Sequence, residues 1–121
     1  MLALLMGMML SVNVDPSKLT VPITSFVDTK QVWMSALSDC ESMGSTTIKV
    51  WDTNNQWSIG KYQYQYGTWL KYSKKFGTTK ANITDGALQD VVTHYVLDTY
   101  GSGDWYNCTK IIQKSLGSYP K

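Results

Sequence analysis

The 121-residue chain contains no arginine; all eleven of its basic residues are lysines. That absence argues against a nucleic-acid partner, because bidentate contacts to phosphate and guanine favour the guanidinium fork. One glutamate, Glu41, stands among nine acidic residues, so any chemistry that demands a glutamate has one candidate. The single histidine and two cysteines are too few for a zinc site, and no metal is expected. Glycine-rich phosphate loops, a Gly-x-Ser-x-Gly elbow and a dinucleotide fingerprint are all missing, so no cofactor is expected. No apolar run reaches the length of a bilayer span; the longest, Leu2 to Leu10, is far shorter. That run is like the apolar part of a signal peptide, but it lacks a basic start and a clear small-residue cleavage site.

What is present is aromatic. Five tryptophans and eight tyrosines accompany only two phenylalanines. Rings that carry a polar handle suit both a packed core and a groove that holds sugars. Hydrophobic residues make up 43% of the chain, enough for one folded domain. Net charge is +2, a slight excess that suits an anionic surface. Cys40 and Cys108 fit either one disulfide formed in an oxidising compartment or two reduced core thiols.

Residues 1–27 read as an apolar and irregular lead-in, and 28–121 as the functional domain. A helix is predicted over 28–43, capped by Asp28 or Thr29, with Trp33, Ala36, Leu37 and Cys40 on one stripe and Gly44 ending it. Residues 46–51 and 56–59 alternate like strands around the turn residues Asp52 to Asn55, which predicts a hairpin. A helix over 67–76 presents Trp69, Tyr72 and Phe76. Another over 85–100 presents Leu88, Val91, Val92, Tyr95 and Val96. A last one, from about Asp104 to Leu116, turns Trp105, Cys108, Ile112 and Leu116 inward. His94, flanked four residues away by Asp90 and Asp98, reads as a solvated, salt-bridged side chain. The fold class is α+β, mostly helical.

Glu41 falls in the last turn of its helix, beside the apolar stripe and facing the hairpin. Burial and the negative end of a helix both disfavour a charged carboxyl, which is the setting of a general acid. The other reading of Glu41 is an exposed surface residue. Asp52, at the hairpin turn, is either a second carboxylate for a glycosidase or ordinary turn chemistry.

Cys40-Glu41-Ser42, followed by Ser58-Ile59-Gly60-Lys61-Tyr62-Gln63-Tyr64, resembles the Glu-Ser and Gly-x-x-Gln signature of lysozyme-like domains of the lytic transglycosylase and goose-type kind. Trp105-Tyr106-Asn107 loosely resembles a late Tyr-Asn element of that family. The resemblance spans about residues 30–112. It departs from the pattern where Thr46-Thr47-Ile48 replaces a Pro-x-Ala stretch and where Lys61 replaces an apolar residue. It implies a lysozyme-like fold with a small hairpin beside the catalytic helix. It also implies cleavage of the β-1,4 bond between N-acetylmuramic acid and N-acetylglucosamine in bacterial peptidoglycan, by hydrolysis or by transglycosylation. Glu41 would be the acid, with Asp52 assisting. Gln63, Ser58, Gly60, Tyr62 and Tyr106 would contact sugar, Ser42 would support the Glu41 backbone, and Cys40 would pair with Cys108. The implied protein is a secreted, extracytoplasmic or phage-associated monomer without stable membrane insertion. A non-catalytic glycan-binding module on the same fold is the alternative.

Overall fold

A computed structural model describes residues 28–121. The expected lead-in over 1–27, with its apolar run, lies outside the described residues. Helix α1 spans Thr29–Ser42, and the Asp28 carboxylate caps it by accepting from the amides of Lys30 and Gln31. Strands β1 (Lys49–Trp51) and β2 (Trp57–Ile59) pair antiparallel, with Val50 opposite Ser58 and Trp51 opposite Trp57. Helix α2 (Tyr66–Ser73) continues into a 3-10 turn, Lys74–Phe76, and Gly77 ends it in the left-handed region. Helix α3 (Gly86–Tyr100) is capped by Asp85, and α4 (Tyr106–Leu116) follows a 3-10 turn at Gly103–Trp105. Helices with one small hairpin are the mostly helical α+β architecture expected.

Trp33, Met34, Leu37, Ile59, Tyr64, Trp69, Val92, Val96 and Ile112 form the body of the core. Two of the expected stripes are rotated, and a third is shorter than expected. In α1 the buried side is Trp33, Met34, Leu37, Ser38 and Ser42, whereas Cys40 is exposed. In α3, Gln89, Val92, Thr93, Val96 and Leu97 are buried, Leu88 and Tyr95 lie at the margin, and Val91 is exposed. The cause is polar. Gln89 donates to the carbonyls of Thr46 and Ile83 and accepts from the amide of Lys61, while Thr93 and the Tyr64 hydroxyl pair at 2.8 Å. A buried polar group that finds its partners loses little by leaving water. In the last stripe Trp105, just before α4, and Cys108 and Ile112 within it face inward as expected, but Leu116 is exposed.

Cys40 and Cys108 form a disulfide, closing 68 residues and tying α4 to the end of α1. In the chain-entropy account a loop of that size contributes about 4 kcal/mol. Trp33 Nε1 donates to the Gly117 carbonyl, binding α1 to the chain's end as well. Among the described residues no helix is long and apolar enough to cross a membrane.

Candidate active site

The hairpin turn and the end of α1 meet across an open cleft of about 560 Å³. Glu41 comes from α1, and Val50, Asp52 and Ser58 come from the hairpin. The segment after β2 supplies Tyr62, Gln63, Tyr64 and Gln65. Thr68, Lys71 and Tyr72 of α2 and Asp104 and Trp105 before α4 complete the wall.

Residues 60–63 make a tight loop beneath this cleft, and its geometry is fixed from several sides. Ile59 and Tyr64 exchange both backbone hydrogen bonds, closing it. Ser42 Oγ donates to the Lys61 carbonyl at 2.8 Å, Trp105 Nε1 donates to the Tyr62 carbonyl at 2.8 Å, and the Gly60 amide donates to Ile48. Gln63 occupies the left-handed region at φ 57°, which costs a non-glycine residue about 1–2 kcal/mol. Its side-chain Nε2 donates to the Gly60 carbonyl. Strain of this kind persists where the surroundings over-determine the backbone, and active sites are where it collects.

Glu41 is half-buried, and no hydrogen bond is among the influences on its carboxyl. Burial raises its pKa above the ordinary glutamate value, and the negative charge of Asp52 raises it further. No basic residue lies in the last turn of α1 to offset this. Asp52 is held differently. Its backbone builds the turn with Asn55 and Gln56, and its carboxylate accepts from Ser58 Oγ and, at 3.1 Å, from Gln65 Nε2. Gln65 is in turn locked to Asn54 by a reciprocal amide pair. The cleft lining therefore holds one carboxyl disposed to keep its proton and a second carboxyl aimed by two donors.

Of the expected site residues, Glu41, Asp52, Ser58, Tyr62 and Gln63 all line this cleft. Tyr62 does so with its ring almost fully buried and its hydroxyl turned to Asp90 at 2.6 Å. Burial, and then that hydrogen bond, push the phenol's pKa well up. The other two are not part of the lining. At Gly60, with φ 81°, a Cβ would run into the Gln89 side chain, so its smallness serves the packing there. Tyr106, 65% exposed at the start of α4, is not part of the cleft lining.

Lys71, Tyr72, Thr68 and Asp104 were not singled out as site residues. Tyr72 looked like a core residue because it shares a helical face with Trp69. Its hydroxyl donates to Asp104 at 2.7 Å, which raises its pKa to about 12. Asp104 and Lys71 carried no local motif, and only the packing of α2 against the loop before α4 brings them together.

His94 pairs with Asp98 at 3.0 Å on the exposed face of α3, as expected. Asp90 instead turns to Lys61, which reaches both its carboxylate oxygens at 2.9 Å. Among the described residues no group of His, Cys, Asp and Glu is arranged to hold a metal ion. No protein-family model matches the chain, and no curated protein or solved structure matches it significantly.

Proposed function

We propose that the protein is a glycosidase of bacterial peptidoglycan that acts on the β-1,4 bond between N-acetylmuramic acid and N-acetylglucosamine. The observation that carries this reading is the pair of carboxyls on one open cleft: Glu41 half-buried and biased toward its protonated form, Asp52 oriented by Ser58 and Gln65. Protonating a glycosidic oxygen needs an acid that still holds its proton when ordinary carboxyls have lost theirs. The resemblance of the Glu-Ser and Gly-x-x-Gln segments to lysozyme-like domains supports the same reading. So does the way Ser42 binds the Glu41 helix to the loop beneath the cleft, a loop that Gln63 braces from within.

In this reading Glu41 donates its proton to the leaving oxygen as the bond to the anomeric carbon breaks. For hydrolysis, Asp52 takes a proton from the attacking water on the other side of the sugar. For transglycosylation, the muramyl 6-hydroxyl attacks instead, and the ionised Glu41 receives its proton. Gln63 and the aromatic side chains of the cleft lining contact the N-acetyl sugars in this reading. A disulfide beside the acid suits an extracytoplasmic setting.

The test is to incubate the protein and its Glu41→Gln variant with purified peptidoglycan and weigh the released fragments by mass spectrometry. Fragments from the parent alone support glycan cleavage through Glu41, and a mass difference of one water separates hydrolysis from transglycosylation. Binding to the wall by both proteins with release by neither would replace the enzyme by a glycan-binding module.

A further inference from the structure

Among the described residues the cleft carries three carboxyl side chains, Glu41, Asp52 and Asp104, and one cation, Lys71. Two of the acids are committed: Asp52 to Ser58 and Gln65, Asp104 to the Tyr72 hydroxyl. Lys71 is not. Lys30 and Lys61 are paired with Asp98 and Asp90, but no ion pair to Lys71 occurs among the described residues. Its ammonium lies 5.2 Å from the Tyr72 ring centroid, and the ring of that residue forms part of the same wall. The position in the last turn of α2 places the charge near the helix's negative end, where a cation is favoured. A cation on the cleft wall, held over an aromatic face and unclaimed by any carboxylate among the described residues, suits an anionic substituent of a ligand.

We infer that Lys71 is a specificity residue that recognises a carboxylate borne by the glycan, so that the cleft prefers an anionic, muramyl-type strand to a neutral chain of N-acetylglucosamine. This rests on the glycosidase reading and names what distinguishes its substrate. In a muramyl glycan every second sugar carries a lactyl ether. That group ends in a carboxylate when peptide-free, and in a stem peptide with its own carboxylates when not. Both sources present the same chemistry to an ammonium, and neither exists on the neutral chain.

The experiment uses the Glu41→Gln protein, so that ligands survive, and compares it with the same protein also carrying Lys71→Met or Lys71→Arg. Calorimetry measures binding of three probes: a neutral N-acetylglucosamine hexamer, a soluble peptide-free muramyl glycan, and a soluble glycan with its stem peptides. The expected result is a roughly fivefold weaker affinity of the Met variant for the anionic glycan, the scale of an exposed ion pair. Its affinity for the hexamer should stay within twofold, the salt dependence of anionic-glycan binding should shrink, and Arg should rescue. Loss on the peptide-free glycan places the contact at the lactyl carboxylate; loss only on the peptide-bearing one places it on the stem. Equal losses on all three probes, or no loss on either anionic glycan, would overturn the inference while leaving the role of Glu41 untouched. If the parent bound none of the probes, the glycosidase reading itself would fall.

Discussion

At the scale of single residues, Glu41 concentrates the argument. Its folded-state pKa is raised, so the folded protein holds that proton more tightly than the unfolded chain does. The contribution to stability is then greatest in acid and is lost as pH rises from the ordinary carboxyl range through the raised value. Glu41→Gln removes the titration. The variant should lose at least about a hundredfold in cleavage rate, the lower end of a general acid's contribution. It should nevertheless unfold at higher denaturant than the parent at pH 7, and show no such advantage at pH 3; paired urea titrations at the two pH values check this. Asp52→Asn should leave Glu41 easier to ionise, because a negative neighbour is gone. On the proposed glycosidase reading, the alkaline limb of the pH–rate profile should shift to lower pH in that variant, with the rate itself also falling if Asp52 serves as the base. Gly60→Ala should behave in a contrasting way. The new methyl would meet the Gln89 amide at a positive φ, so about 2 kcal/mol or more of stability should be lost, read by thermal unfolding.

At the scale of elements, the sequence was most informative where a pattern is local. Asp28 and Asp85 announce the starts of α1 and α3, and Gly77 the end of the 3-10 turn after α2, because caps are decided within a few residues. The turn at Asp52 to Asn55 announces the hairpin for the same reason. Helix faces were less legible. Periodicity ranks Val91 above Gln89 as a core residue, but Gln89 finds Thr46, Ile83 and Lys61 across the fold, and those partners are distant in sequence. The site divides the same way. Glu41, Ser58 and Gln63 sit in short motifs that the sequence displays; Lys71 and Asp104 come to one cleft only through the packing of α2. The disulfide acts between elements. Cys40 precedes Glu41, and its partner lies in α4, so replacing both cysteines by serine should cost about 2–5 kcal/mol in chemical denaturation. Ser42→Ala removes the other tether, from α1 to the Lys61 carbonyl, and should cost about 1–2 kcal/mol while lowering cleavage more than stability alone explains.

At the scale of the whole molecule, acid should act on a different part of the structure than alkali. Asp98 accepts from Lys30 and from the Tyr119 hydroxyl and faces His94, and these contacts hold its pKa below the ordinary range. A depressed carboxyl contributes stability above its unfolded pKa, and that contribution is lost as pH falls. Acid should therefore loosen the junction of α1, α3 and the C-terminal segment, while the cleft gains a protonated Glu41. Hydrogen exchange at pH 3 and pH 7 should show protection falling first around Trp33 and Tyr119. The hairpin has a last consequence for the whole. Val50 and Ser58 face the cleft, and their strand neighbours Trp51 and Trp57 pair edge to face at 5.0 Å, outside the cleft lining. Side chains alternate along a strand, so the chemical wall and the aromatic exterior are written in interleaved letters. Substitutions at positions 51 and 57 therefore change the exterior and leave the cleft lining as it is. A single inserted residue would exchange the two sets, turning indoles into the cleft and the serine that holds Asp52 out to water.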